Sequence, residues 1–266
     1  MASIVIYPQP ITSGVSINAG GEESGKPIEN LTDMNINTTW QNDDNNETVT
    51  IDWDFGSNID PNYLIIANHN LTDTDYGIKF IQGSGGVGGS FVVEEYLLGD
   101  AGTYHDYTSS DTPIWLETFD EPQQVERYYR LEIENNNGVK PEIGMVVFGD
   151  YITLNANYNL GGSRGDGYKT EIRERDGGQI YANQLANERK RFVLSWDDIA
   201  ETDHDYWETI FSLIQGRLYP FFFTDIDSVK YLVRSEQDEL QQTDNEYQLY
   251  SFSLNLLEEK LNNDVS

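Results

Sequence analysis

NLTDMNINTTW, residues 30–40, is the stretch whose reading decides the fold. Asn, Asp and Thr dominate it and give it the composition of an exposed loop. Yet it runs into a tryptophan, whose large apolar ring gains most from cover. Three readings compete: a metal-binding loop, a glycosylated loop, and a turn that feeds the first core strand of a β-sandwich. The N-x-S/T sequons at Asn30, Asn37, Asn46 and Asn70 sit in an Asn-rich chain, where such triplets arise by chance, so glycosylation is the weakest of the three.

The totals bound what surrounds that stretch. A length of 266 residues suits two domains, although some all-β folds run this long as one. Hydrophobic residues make up 38%, with 17 Tyr, 11 Phe and 5 Trp, enough to build packed cores rather than a disordered acidic chain. The formal net charge of −30 argues against binding that depends on neutralising phosphates, so no sequence-specific nucleic-acid partner is expected. Residues 1–149 carry 24 acids against 5 bases and residues 150–266 carry 22 against 11, or −19 and −11. Such an excess keeps a protein hydrated and dispersed in a salty medium. With no cysteine, neither a disulfide framework nor a thiolate metal site can form. MASIVIYPQPITSG lacks the positive start and the apolar length of a signal peptide, and no run approaches membrane-spanning length. Synthesis in a cytosol is therefore expected.

Up to about Gly149 the pattern is one of short β-type runs separated by Gly, Asn and Asp clusters: VTIDWDFG, NYLIIANHN, SFVVEEYLL, TPIWLETF, ERYYRLEIEN and IGMVVFGD. Between them lie QGSGGVGGS and TYHDYTSSD, long enough to be surface loops. The glycine-rich run lacks the lysine of a phosphate cradle and does not open a helix, so it reads as a flexible loop.

The order NLTDMNINTTW, VTIDWDFG, LIIANHN and RYYRLEIENNNGVKPEIGMVVFGD resembles the discoidin-like, galactose-binding-like jelly roll over nearly all of this segment. The resemblance implies that Trp40 enters the core as the loop becomes a strand, with Asp33 and Thr38 or Thr39 tying the loop's amides. It also implies a calcium site in some relatives, built from loop oxygens and a Glu of the final strand; Asn30, Asp33 and Thr38 are the matching oxygen-rich residues here. At the position expected for that Glu this chain has Gly144 and Met145, which argues against calcium and for no cofactor at all. The family's common activity is carbohydrate binding on loop aromatics, for which His69, Tyr104, His105 and Tyr107 are the candidates.

The pattern changes near Tyr151. RGDGYKTEIRERDGGQIYANQLANERKRFVLSWDDIA reads as two strands joined by a DGG turn and a third strand ending in Trp196. A helix over about 203–215 follows: Thr202 or Asp203 can cap it, and Trp207, Ile210, Phe211 and Ile214 recur at i, i+3, i+4 and i+7 before Gly216. RLYPFFFTD, KYLVRSE and YQLYSFSLNLLEEK complete the segment. GRLYPFFFTD with YLVRSEQDEL, in this order of elements, resembles the ring-forming domain of tailed-phage distal tail and minor tail proteins. That resemblance implies a homo-oligomeric ring, a hexamer in that family, bound to tube and tip or hub proteins in the virion tail. In such a ring, acids lining the bore would repel the phosphates of passing DNA, so the lumen residues are expected in the acidic stretch from Asp197 and Asp198 to Asp205 or in the DGG turn around Asp176, with Arg189, Lys190 and Arg191 turned to neighbouring subunits.

Catalysis needs a constellation, and none emerges. His69, His105 and His204 form no HxH or HExxH pair, no G-x-S-x-G elbow is present, and with 46 acids no single carboxylate pair stands out. The RGD at 164–166 reads as a chance triplet in a Gly-rich turn. The expectation is a mainly β, non-enzymatic protein: a jelly-roll sandwich over 1–150, then a β-sandwich domain with one main α-helix over 151–266. Its expected role is a structural virion protein of a tailed phage, made in the host cytoplasm, whose jelly roll meets host-surface glycans or neighbouring tail proteins. The alternative is a free, lectin-like carbohydrate-binding module.

Overall fold

The structure, a computed structural model, describes residues 5–7, 16–45, 48–71, 76–84, 92–98, 106–109, 112–118, 126–135, 138–159, 163–167, 170–175, 179–184, 189–226, 228–240, 242–245 and 249–260. The described chain is mainly β, with antiparallel sheets and a single α-helix, Glu201–Ile214. It divides into two compact units, one of Gln9–Tyr151 and the other of Met1–Pro8 with Ile152–Ser266.

The first unit is a sandwich of two five-stranded sheets. One runs Ser16–Ala19, Thr48–Ile59, Glu126–Asn135, Tyr76–Ser84, Val92–Leu98; the other runs Trp40–Gln41, Glu142–Gly149, Tyr63–His69, Thr112–Thr118, Asp106–Ser109. Strands distant in sequence lie side by side in both, the connectivity of a jelly roll. The period-two pattern explains the packing: Val49, Ile51, Trp53 and Phe55 point inward with Tyr129, Leu131 and Ile133 of the paired strand. From the facing sheet Phe148 meets Trp53 and Phe55 edge-on, at 5.3 and 5.0 Å. On the outer face of the first sheet the alternate residues form a cross-strand charge ladder. Arg130 grips Asp52 at 2.6 and 2.9 Å, Arg127 pairs with Asp54, and Lys79 with Glu132 and Glu134. The Arg127 guanidinium holds the Asp54 carboxyl below its usual range. Tyr63–His69 and Glu142–Gly149 are buried along most of both faces, which is why LIIA and GMVV are unbroken apolar runs rather than alternating ones.

The second unit is built on an eight-stranded sheet. Its order is Ile152–Thr153, Val5–Tyr7, Phe221–Thr224, Lys230–Ser235, Leu249–Glu258, Arg189–Ala200, Ser163–Gly167, with Gln242–Asn245 also pairing Leu249–Glu258. The first residues of the chain thus belong here and not to the first domain, as a 1–150 boundary requires. Val5–Tyr7 pairs on both sides within this sheet and Ile6 is fully buried in this core. The first unit is therefore an insertion between two strands of the second.

The helix covers the sheet with Trp207, Ile210, Phe211 and Ile214, the face that the 3.6-residue period predicts. Trp196 stacks on Phe252 at 4.9 Å and meets Trp207 edge-on at 5.0 Å. The helix begins at Glu201, and Ala200 in the N-cap position makes no side-chain cap. Asp203, a predicted cap, is instead a buried acceptor for the amides of Asn155 and Ala156. The helix closes through Gln215 in the left-handed region, and at Gly216 (φ +66°) a Cβ would lie 2.7 Å from the Asp238 carbonyl oxygen. The RGD triplet lies not in a turn but in the strand Ser163–Gly167, paired with Arg189–Val193 of the next strand in the sheet. Thr170–Arg175 and Gln179–Gln184 form a separate two-stranded hairpin.

Candidate functional site

The stretch 30–40 lies at one end of the first unit and builds that end. A short 3-10 helix, Ile28–Leu31, buries Ile28 and Leu31, and the chain then loops toward Trp40. Asp33 organises the loop. One carboxylate oxygen accepts the Asn35 N–H at 2.8 Å and the other accepts the Thr38 hydroxyl at 2.7 Å, the self-bonding of an Asx turn. Asn30 donates its side-chain amide to the Thr39 carbonyl at 2.7 Å. Asn68, at φ +54°, donates to the Ile36 carbonyl at 2.7 Å, and the facing residue is Gly144 because a Cβ there would come within 2.8 Å of the Asn68 side chain. Trp40 then pairs with Ile143 and is fully buried. The turn into a core strand is thus the reading the structure bears out.

Glu142, at the start of the final strand, holds this loop to the sheet. Its Oε1 accepts from Lys26 Nζ and from the Thr39 hydroxyl, each at 2.7 Å, and its Oε2 from Gln41 Nε2 at 3.2 Å. Burial pushes its carboxyl up, but the hydrogen bonds from Lys26 and Thr39 and the nearby ammonium outweigh that, so it ionises below its usual range. Around it the carboxamides are locked in turn. Asn70 accepts the Glu142 N–H at 2.8 Å and donates to the Lys140 carbonyl at 2.9 Å, while Asn45 donates to the Gly138 carbonyl at 3.1 Å and Lys140 pairs with Glu23. The result is an end surface of fixed donors and acceptors from residues 30–45, 70 and 138–142.

The calcium ion that the family resemblance implies does not fit this arrangement. Calcium takes six to eight oxygen ligands. Here both oxygens of Asp33 accept hydrogen bonds from within the loop, and the Lys26 ammonium already answers the charge of Glu142. Asp33 and Thr38 do come together, but in a hydrogen bond to each other, while Asn30 donates to the Thr39 carbonyl. Another group of ligand-type residues, His204, Asp205 and Glu208, lies on the helix of the second unit with the imidazole stacked on Tyr250 at 4.0 Å. Its Nδ1 is 3.5 Å from Asp205 and its Nε2 is 3.6 Å from Glu208, so the ring presents a different nitrogen to each carboxylate.

His69 ends a strand at the same end of the first unit but is only 7% exposed, a core position rather than an open platform. Burial pushes its pKa down to about 4. Between that value and its ordinary 6.5 the unfolded chain binds a proton that the native chain refuses, so stability falls as pH drops through this window. The slope is up to roughly 1.4 kcal/mol per pH unit. His69→Gln is expected to flatten the loss between pH 7 and pH 5 by about 2 kcal/mol in urea titrations; an unchanged slope would show that His69 is not a buried neutral base.

The other predicted residues are dispersed. Tyr104, His105 and Asp176 lie outside the described residues, and Tyr107 is described only through its backbone, in the strand Asp106–Ser109 opposite Ile114. In the second unit, Arg189 lies 3.7 Å from Glu259 and Arg191 bonds Glu236 at 2.7 and 2.8 Å, so both engage acids of their own unit. The Lys190 N–H donates to Glu258 at 2.9 Å. Asp197 accepts from Asn159 at 2.7 Å, and Asp198, at φ +55°, occupies the bulge between Trp196 and Ile199. Sequence reasoning missed Glu142 and Lys26, because it looked for the acid two positions later and the two partners are 116 residues apart.

Neither a protein-family model nor a curated protein matches the chain. Solved structures similar to it include carbohydrate-binding modules. The Clostridium perfringens module CpGH89CBM32-6 shares 17% identity, with 52% of this chain and 94% of that one covered and a TM-score of 0.37. A chitosan-binding module from a chitosanase/glucanase of Paenibacillus sp. IK-5 shares 14%, with 53% and 98% covered and a TM-score of 0.41. The family 32 CBM of C. perfringens NanJ, solved in complex with galactose, shares 18%, with 56% and 99% covered and a TM-score of 0.37.

Proposed function

We propose that the first unit is a non-catalytic carbohydrate-binding module that takes glycans at the end built by residues 30–45, 70 and 138–142. The observation that carries this reading is the pre-set hydrogen-bond lattice at that end. Sugar hydroxyls both donate and accept, so they suit a surface that mixes carboxamides, carboxylates and an ammonium. A surface already locked by Glu142, Asn70 and Asn45 loses little freedom when it binds. Asn37 is exposed on the 30–40 loop, and Lys140 is half-buried and paired with Glu23.

A glycan array probed with the full chain tests this. At least one glycan should be retained, and Asn37→Ala combined with Lys140→Ala should weaken binding by about tenfold or more, equivalent to roughly 1.4 kcal/mol, without altering the melting temperature. An empty array, or affinity indifferent to both substitutions, contradicts the proposal.

A second reading makes the second unit a ring-forming platform at a phage tail tip, with the first unit displayed from it. It rests on the order of elements in the second unit, with GRLYPFFFTD and YLVRSEQDEL as its most informative stretches; the pairing of Val5–Tyr7 with Ile152–Thr153, which carries the first unit between adjacent strands, is compatible with it. Negative-stain images of the purified protein would then show closed rings.

A further inference from the structure

Three consecutive carbonyls at the candidate end, those of Gly138, Val139 and Lys140, are each capped by an asparagine side chain from a different segment. Asn45 donates to the first at 3.1 Å, Asn135 to the second at 2.8 Å and Asn70 to the third at 2.9 Å. Asn135 also accepts the Gly138 N–H at 3.1 Å, and Gly138 turns through the left-handed region at φ +71°. Water would satisfy an exposed carbonyl about as well, so what the three amides add is a fixed course for the chain.

That fixed backbone holds out a valine. Among the described side chains of the first unit, Val139 is the one large apolar residue left exposed, at 51%. A single apolar residue on a surface is ordinary by itself. This one sits on a tethered stretch, and its neighbours on both sides are tied by Asn45 and Asn70 into the lattice of the candidate site. Small-molecule sites combine apolar contact area with a few fixed polar groups, and here the exposed Asn35, Asn37, Asn45 and Asn70 supply the polar part.

We propose that Val139 is the apolar contact of the glycan site and packs against the C–H face of an uncharged sugar ring. This inference rests on the glycan-binding reading of that end and names the residue and sugar class it uses. A sugar ring carries hydroxyls on its rim and C–H groups on its faces, so covering a face with valine releases water from both. Charge sets the class. The two lysines there, Lys26 and Lys140, are each paired with an acid, Glu142 and Glu23, while Asp33 and Asp43 stay exposed. A sugar bearing a carboxylate or a sulfate therefore meets like charge with no free cation to offset it.

Titration of the full chain and its Val139 variants with a glycan that the array retains reads this out, with melting temperatures beside it. Val139→Asp should weaken binding by about tenfold or more, and Val139→Thr, which puts a hydroxyl in place of one methyl, by about fourfold. Val139→Ile, which keeps the apolar surface, should bind as the wild type does. All three should melt with the wild type, because the side chain is exposed. The sialylated or sulfated form of the same glycan should bind more weakly than the uncharged form. Wild-type affinity in a folded Val139→Asp chain, or a preference for the charged form, overturns this inference and leaves glycan binding in place; an empty array overturns both.

Discussion

Trp40→Ala is expected to destabilise the protein by about 3–5 kcal/mol, the range for removing a large aromatic side chain from a closed core. Trp40 is fully buried and packs in the core that Phe148 and Trp53 share. It is also where the loop of residues 30–39 meets the final strand through Ile143, so the cavity would open beneath the loop that carries the candidate site. The indole N–H has no hydrogen-bond acceptor among the described residues. The ring's value is therefore apolar, and Trp40→Phe should cost much less than Trp40→Ala. Denaturant titrations monitored by fluorescence separate the two; an unchanged midpoint for Trp40→Ala would mean that the loop does not end in the core.

Asp203→Ala should have an effect of similar size for a different reason. The carboxylate is buried and accepts three hydrogen bonds: the Asn155 N–H at 3.1 Å, the Asn155 side-chain amide at 2.9 Å and the Ala156 N–H at 2.9 Å. The Ala156 carbonyl in turn accepts the Trp196 indole N–H at 3.1 Å, which ties the segment to the core of the second unit. Removing one partner leaves donors stranded away from water, at about 1–3 kcal/mol each, so a loss of about 3 kcal/mol or more is expected. Asp203→Asn, which keeps one acceptor oxygen, should recover part of it. If Asp203→Ala melts with the wild type, water reaches that segment and the bonds contribute little.

Asp203 also shows where sequence reading stops. An acid in the first turn of a predicted helix has the same local signature whether it caps the helix or reaches across to another segment. Only the position of Asn155 decides, and that is a fact of tertiary packing. The same limit explains Val5–Tyr7. Three apolar residues are long enough to be read as a strand but carry no sign of which sheet they will join, so the insertion of one unit into the other was not legible. What was legible has a short range. The alternation of Val49, Ile51, Trp53 and Phe55 and the spacing of Trp207, Ile210, Phe211 and Ile214 each repeat within one element, and the structure buries each set on one face. At the candidate site the bond from the Asn35 amide to Asp33 spans two residues and was anticipated, whereas Thr38 and Thr39 donate their hydroxyls to Asp33 and Glu142 instead of holding amides. The Lys26–Glu142 pair was not anticipated, since nothing local to either residue announces the other.

The most direct test of the glycan-binding reading is where a bound sugar sits. Backbone amide shifts of the full chain, titrated with a glycan that the array retains, should move at residues 30–45, 70 and 138–142 and stay still on the second unit. Shifts that cluster on the second unit, or near Asn62 and Gly149, which bond to each other away from the residues of the candidate site, would contradict it.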